Sequence, residues 1–310
     1  MTVKCNLILD SCCDLPENVW KRPGVYMLNF TYSDNGTDYI DDLFHSRSAH
    51  DFYEAMRNGA LPKTSQPSQM EFEKIFSETL ETGIPTVYLA FSSGISGCYE
   101  GAMLALDHMK ELHGKDIPLY VVDTKVGSTT EGLLVSEALR QRDNGLTAEE
   151  MVKWAEEARY YVHTIFMVDS LDALRHGGRI PAAAAMLGTA LNVKPLLSFD
   201  LDGKLSLIGV ARGRKRGMRR LVDEYLRDHD TGAGATTVAI GNADVPHDAE
   251  RLSTEISLKD ENALFLTLNI GPTIGCHVGP GMLSCCFWGG DRRKQISVSD
   301  KIAHDVKDKS

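Results

Sequence analysis

The feature that most limits how this chain can fold is the alternation of strand-like and helical runs in its first half. Short apolar runs occur at residues 3–9, 86–91, 118–122 and 164–168. Between them, segments with apolar positions at helical spacing fall at 49–58, 70–81, 99–112, 132–143 and 148–160. Thr147, ahead of Ala148-Glu149-Glu150, predicts an N-cap followed by an acidic first turn. Strands alternating with helices imply a parallel sheet covered on both faces. Each of the four strands runs into a polar group: Asp10-Ser11, Ser92-Ser93, Asp123-Thr124 and Asp169-Ser170. In an open α/β sheet such carboxyl ends converge on the ligand crevice, although Asp and Ser also favour strand ends for purely local reasons.

The pattern changes near residue 170. A short helix over 171–176 stops at Gly177-Gly178, and Pro181 opens a further helix through Ala182-Ala183-Ala184-Ala185 toward residue 191. That segment is apolar nearly all round, which predicts burial. Runs at 193–199 and 204–210 around Asp202-Gly203 predict a β-hairpin with a type I′ turn. A helix over 218–229, strand 236–240, helix 247–258, strand 263–269 and strand 282–288 complete an α+β unit. The expected organisation is an N-terminal α/β domain over 1–169, a smaller C-terminal α+β domain over 170–290, and a polar tail, 291–310, to which no role is assigned.

Two hydroxyl-rich loops carry the functional signal: Thr64-Ser65-Gln66-Pro67-Ser68 and Ser92-Ser93-Gly94-Ile95-Ser96-Gly97. The second joins a strand to an amphipathic helix, so backbone N–H groups and hydroxyl donors surround one point, an arrangement that favours an anion. Neither loop contains Lys or Arg. A singly charged carboxylate, which only accepts hydrogen bonds, therefore suits the site as well as a phosphate does. The same hydroxyls also serve as helix caps and turn formers.

Composition narrows the field. A net charge of −10 argues against general nucleic-acid binding, which requires clustered Lys and Arg. The first apolar run is too short for a signal peptide, and no run approaches the ~20 apolar residues of a membrane span, so the expected compartment is the cytoplasm. The seven cysteines contain no Cys-x-x-Cys and no Cys/His spacing typical of zinc, so they read as small buried hydrophobes and no metal site is expected. No nucleotide-binding loop or dinucleotide fingerprint is present. Ser96 lies in Gly94-Ile95-Ser96-Gly97-Cys98, which lacks the second glycine of a nucleophile elbow.

Two further segments stand out. Six of the eleven residues from Gly271 to Gly281 are glycine or proline, which places His277 in a predicted loop, where it is a candidate anion donor or proton shuttle. Arg212, Arg214, Lys215, Arg216, Arg219 and Arg220 cluster at the start of a helix, either as a solvated basic face or as a docking patch for an acidic or phosphorylated partner. Arg179 is open between a capping or salt-bridge role and a phosphate contact.

In order along the chain, several of these pieces form a recognisable series. They are Asp10-Ser11-Cys12-Cys13-Asp14-Leu15, the 64–68 loop, the 92–97 loop with Tyr99, and Val168-Asp169-Ser170-Leu171 with Gly177-Gly178-Arg179-Ile180. Lys194-Pro195-Leu196-Leu197 and the 271–281 segment complete the series. The chain, to about Gly289, resembles the DegV family of bacterial fatty-acid-binding proteins, whose members serve as acyl-carrying subunits of a fatty acid kinase. It departs at Cys12, Ile95 and Cys98, where the family more often has Thr, Leu and Thr; none of these is a proposed headgroup donor.

The resemblance implies a long-chain fatty acid held in a buried tunnel between the two domains, with no other cofactor. Thr64 and Ser96 would hydrogen-bond its carboxylate, with Ser65 and Ser93 close by and His277 approaching the same headgroup. Arg179, Arg212 and Arg214 would be candidates for engaging a separate kinase subunit or the transferred phosphate. The reading admits transient contact with a membrane surface and involves no nucleic acid. Burial of an acyl chain gains roughly 0.8 kcal/mol per methylene, so little headgroup energy is needed. The Ala-rich segment over 182–191 would line such a tunnel or serve as plain core. Two other readings remain open from sequence: an enzyme acting on a small carboxylate or phosphate ester through Ser96 and His277, and a ligand-sensing regulator docking through its basic cluster.

Overall fold

A computed structural model describes residues 3–185, 192–232 and 236–294. The first half runs β1 (Asn6–Asp10), α1 (Glu17–Trp20), β2 (Val25–Leu28), β3 (Thr31–Asp34), β4 (Thr37–Ile40), α2 (Ala49–Arg57), β5 (Lys63–Ser65) and α3 (Gln69–Leu80). It continues with β6 (Thr86–Ala90), α4 (Cys98–His113), β7 (Leu119–Asp123), α5 (Thr129–Asp143) and α6 (Ala148–Ala158). The second half comprises β8 (Val162–Met167), α7 (Asp172–His176), α8 (Ala182–Ala185), β9 (Val193–Phe199), β10 (Leu205–Arg212) and α9 (Arg214–Asp228). It ends with β11 (Thr236–Asn242), α10 (Pro246–Ser257), β12 (Ala263–Asn269), α11 (Pro272–Val278) and β13 (Leu283–Trp288).

These strands form three sheets. The first is parallel throughout, in the order β2-β1-β6-β7. All five residues of β1 and of β6 are buried, as the continuous apolar runs of a sheet covered on both faces require. The second sheet is mixed, in the order β10-β9-β8-β13-β11-β12, with only β11 and β12 parallel. A small antiparallel sheet, β4-β3-β5, flanks the first. One core packs the first sheet against α5 and α6, and another packs the second sheet against α9 and α10. A third core lies between the two large sheets, with α3, α4 and the small sheet around it.

Thr147 caps α6 in a full capping box with Glu150, as its spacing predicts. Four expectations change. The strand predicted at 164–168 does not extend the parallel sheet: β8 pairs antiparallel with β13 and β9 in the second sheet. Alternation along the chain fixes the element type but not its neighbours, and β8 finds antiparallel partners that occur later in sequence. The hairpin turn is not type I′, because Gly203 has φ +78 whereas Asp202 does not adopt positive φ. Asp200 N bonds Lys204 O and Gly203 N bonds Asp200 O, leaving Gly203 alone in the left-handed position.

The Ala-rich helix is described only as Ala182–Ala185, and Ala182, Ala183 and Ala185 are exposed. Alanine is apolar but tolerates water at little cost, so absence of polar residues did not imply burial. Residues 186–191 of that segment, and the tail from 295, lie outside the described residues. Finally, the run predicted as a glycine-rich loop contains α11: Pro272 occupies the first turn, Gly279 (φ +72) ends it, and His277 sits in its last turn.

Candidate functional site

The two hydroxyl loops meet. Gln66 of the first lies over the start of α4, where a Cβ on Gly97 would approach Gln66 Oε1 to 2.9 Å and one on Gly101 would approach its Nε2 to 3.2 Å. Glycine at both positions lets the loops close on one another. Beneath them lies a cavity in the central core, holding about 690 Å³ of space free of protein atoms, including its opening to solvent. Phe30, Phe91, Phe166, Leu174, Ile274 and Met282 supply its apolar wall. Thr64, Ser96, His277 and Arg179 line the same cavity.

Thr64 stands on β5, whose pairing with β3 sets Thr64 opposite Tyr32. Its Oγ1 lies 2.9 Å from His277 Nε2. The imidazole packs against Gly177: a Cβ there would lie 2.0 Å from His277 Nδ1, so this glycine is required for space and not for its dihedral angles. Nδ1 is buried without a hydrogen-bond partner. Orphaned donors are rarer than orphaned acceptors, which favours the tautomer with hydrogen on Nε2, donating to Thr64. Burial, then the positive charges of Arg179 and His176, hold the His277 pKa down at about 4. The ring is therefore neutral at neutral pH.

Ser96 Oγ accepts from Cys98 N at 3.2 Å, at the N-terminal turn of the 16-residue helix α4. Thr64 and Ser96 share a condition: each oxygen accepts a hydrogen bond from the protein, and each O–H remains to donate. Arg179 is exposed at the rim, where Nε donates to Ile95 O (3.1 Å) and Nη1 to Gly177 O (2.5 Å). It also lines an outer cleft with Ser93, Ser96, Gly178 and Lys204. The site thus combines hydroxyl donors, a helix N-terminus and one guanidinium at the mouth of an apolar cavity, which suits a monoanion attached to a hydrocarbon.

The other sequence candidates fall elsewhere. Ser65 is exposed on β5 and does not line the cavity. The Ser93 hydroxyl bonds the Asp123 carboxylate and accepts from Lys125 Nζ at 2.9 Å, facing the outer cleft and not the apolar cavity. Arg212 is exposed at the end of β10. Arg214 is not a free surface charge: it pairs with Asp169 (2.9 Å) and Asp248 (2.5 Å) and donates to Gly281 O (2.5 Å). No hydrogen bond joins Ser96 to His277 among the described residues, so the pair that an enzyme reading needs is not assembled. No group of three or more His, Cys, Asp or Glu among the described residues has metal-binding geometry, and none of their helices is long and apolar enough to cross a membrane.

Sequence reasoning missed the clasp that positions His277. The N-cap of α11, Gly271, has no side chain with which to cap it. Asp14 accepts from Gly271 N (2.8 Å) and from Ser128 Oγ (2.6 Å), while Asp41 accepts from Thr273 N (2.9 Å). Tyr53 O–H donates to Ile270 O at 2.6 Å just ahead of them. Burial raises the Asp14 pKa to about 8 and that of Asp41 to about 6, against the opposing effect of these bonds. Asp14 belongs to a motif segment quoted above, but nothing in the sequence links it to residue 271.

The family model for uncharacterised proteins of the DegV family matches residues 4–289. A DegV domain-containing protein from Clostridium perfringens is 34% identical over 283 residues, covering 91% of this chain and 97% of the relative. Among solved structures, a fatty-acid-binding DegV family protein from Thermus thermophilus superposes with a TM-score of 0.80 at 28% identity, covering 93% of this chain and all of the other. A protein from Thermotoga maritima, whose structure revealed a fatty acid binding function, gives 0.78 at 26% identity with coverage of 93% and 100%. The match takes in both large sheets, both hydroxyl loops and α11, and the chain belongs to the DegV family.

Proposed function

We propose that this protein binds a long-chain free fatty acid, with its hydrocarbon in the central cavity and its carboxylate at Thr64 and Ser96, and presents that carboxylate in the cytoplasm to a separate kinase subunit for acyl-phosphate formation. The observation that carries the reading is the pair of hydroxyls at the cavity mouth, each with its acceptor role engaged inside the protein and its proton free. Fatty acid binding by the Thermus and Thermotoga structures supports the ligand class. His277 sits behind Thr64, donating to the hydroxyl that holds the carboxylate. Arg179 is exposed and lines both the cavity and the outer cleft, which supports a contact with a phosphoryl group arriving from outside. The kinase partner rests on the family resemblance, with Arg212 as the exposed contact; Arg214 supports the fold beside it.

Native mass spectrometry of the freshly purified chain tests the reading. A mass increment that organic extraction identifies as a fatty acid is the expected result. Absence of any acyl species, together with failure to bind a fluorescent fatty acid, removes the carrier function. Incubation with ATP and a cognate kinase then tests presentation through acyl-phosphate formation.

A further inference from the structure

The cavity has a second polar end. Ser128, Thr129 and Thr130, at the start of α5, line it together with Ser284 of β13. Ser128 is the N-cap of this 15-residue helix, but its Oγ donates to Asp14 at 2.6 Å instead of accepting from the first-turn amides. Thr129 N–H and Thr130 N–H have no acceptor among the described residues, although the two residues are only 1% and 2% exposed. Their hydroxyls differ: Thr130 Oγ1 lies 3.2 Å from Cys286 Sγ, whereas Thr129 Oγ1 is buried without a partner. Gly241 makes room beside it, since a Cβ there would lie 2.1 Å from Thr129 Oγ1 and 2.6 Å from Ser284 Oγ. Two unmet amides and an unmet hydroxyl at one buried helix end are rare, and they call for an oxygen from outside the chain.

The length of α11 separates this end from the headgroup donors. The carboxyl group of Asp14 bonds both Ser128 Oγ and Gly271 N, so the N-termini of α5 and α11 lie side by side. His277, which bonds Thr64, stands in the last turn of α11, roughly 9 Å along the helix axis from Gly271. Thr273, Ile274, His277 and Val278 line the cavity along that length. Charge decides which oxygen suits the α5 end. Glu131 is fully buried there with both carboxyl oxygens unpartnered, and burial, then Asp10, Asp14 and Asp123, holds its pKa well above the usual glutamate range. A helix start so crowded by acids disfavours a further carboxylate. A neutral hydroxyl meets the unmet groups, accepting from an amide and bonding Thr129 Oγ1. We propose that the uncapped start of α5 is a second polar subsite, and that the ligands include fatty acids with a hydroxyl part-way along the hydrocarbon, seated against Thr129. This inference rests on the fatty acid reading above and specifies its ligand class.

The test is displacement of a fluorescent fatty acid from the full-length protein by stearic acid and by its monohydroxy positional isomers. One isomer should match or exceed stearic acid. Isomers with the hydroxyl on other carbons bury it unpaired and should bind about tenfold or more weaker. Thr129→Val should lower the favoured isomer about tenfold relative to stearic acid, and Thr129→Ser, which keeps the hydroxyl, should retain the preference. Thr129→Ala replaces Thr129→Val if the latter does not fold. Thr64→Val serves as the control: it should weaken all the acids alike and leave their order unchanged. If every isomer binds more weakly than stearic acid, or if the preference survives loss of the Thr129 hydroxyl, the inference is overturned and the carrier function stands. Failure of the unaltered protein to bind any acid overturns the carrier reading and the inference with it.

Discussion

A hydroxyl group can accept and donate at once, and at Thr64 the two roles are divided between His277 and the space in front of it. Thr64→Val keeps the shape and removes both. A hydrogen bond to a charged group is worth about 1.5–3 kcal/mol, so titration with a fluorescent fatty acid should show a ten- to hundredfold loss. Unchanged affinity would place the carboxylate elsewhere. His277 adds a pH dependence of definite sign. Its pKa falls from 6.5 to about 4 on folding, so the native chain holds it neutral while the unfolded chain protonates it. Its stabilising contribution is complete above pH 6.5 and is lost as pH falls toward 4. Melting curves of the unaltered protein and His277→Gln should therefore differ in their pH slope across that window, with the unaltered protein losing more. Parallel slopes would mean that the ring titrates normally.

The element that carries His277 depends on residues far from it in sequence. α11 has seven residues, too few to be stable alone, and its first amides are held by Asp14 and Asp41. The burial that raises the Asp14 pKa from 3.8 to about 8 has the opposite pH consequence to His277. Between those values the native chain retains a proton that the unfolded chain has released, so stability falls as pH rises. Asn preserves an acceptor for Gly271 N and supplies a donor toward Ser128 Oγ, without the charge. Asp14→Asn should thus flatten the decline in melting temperature with rising pH across this window; an unaltered decline would assign it to other groups.

This clasp also marks the limit of what could be read from the chain. Thr64, Ser96, His277 and Arg179 were legible because hydroxyls and a histidine among glycines are chemically conspicuous, and they line one cavity. Asp14 and Asp41 were not, because an acidic side chain that caps a distant helix leaves no local pattern. Ser65 and Ser93 do not line that cavity: Ser65 follows Thr64 on strand β5, where successive side chains point to opposite faces, and the Ser93 hydroxyl is engaged by Asp123 and Lys125.

At the scale of the molecule, sequence periodicity specified α/β alternation and a change of pattern near residue 170, but not which sheet each strand joins. β8 shows why. Its composition satisfies any buried strand, and its partners β9 and β13 are chosen by packing that closes only when the later chain has arrived. The central cavity is a product of that closure, since one wall comes from each large sheet and the mouth from loops of both halves. The small sheet has a consequence of its own. Thr64 is carried by β5, a strand of only three residues at the edge of the order β4-β3-β5, bonded on one side to β3. Edge strands of this length open locally at low free-energy cost. An occupant that bonds Thr64 would fasten the strand from its other side, turning a frayed margin into a clamped one. Deuterium uptake at Lys63–Ser65 should then slow on loading with fatty acid, while the buried amides of β1 exchange at one rate throughout. The outermost threads of the fold would in that way report what its centre holds.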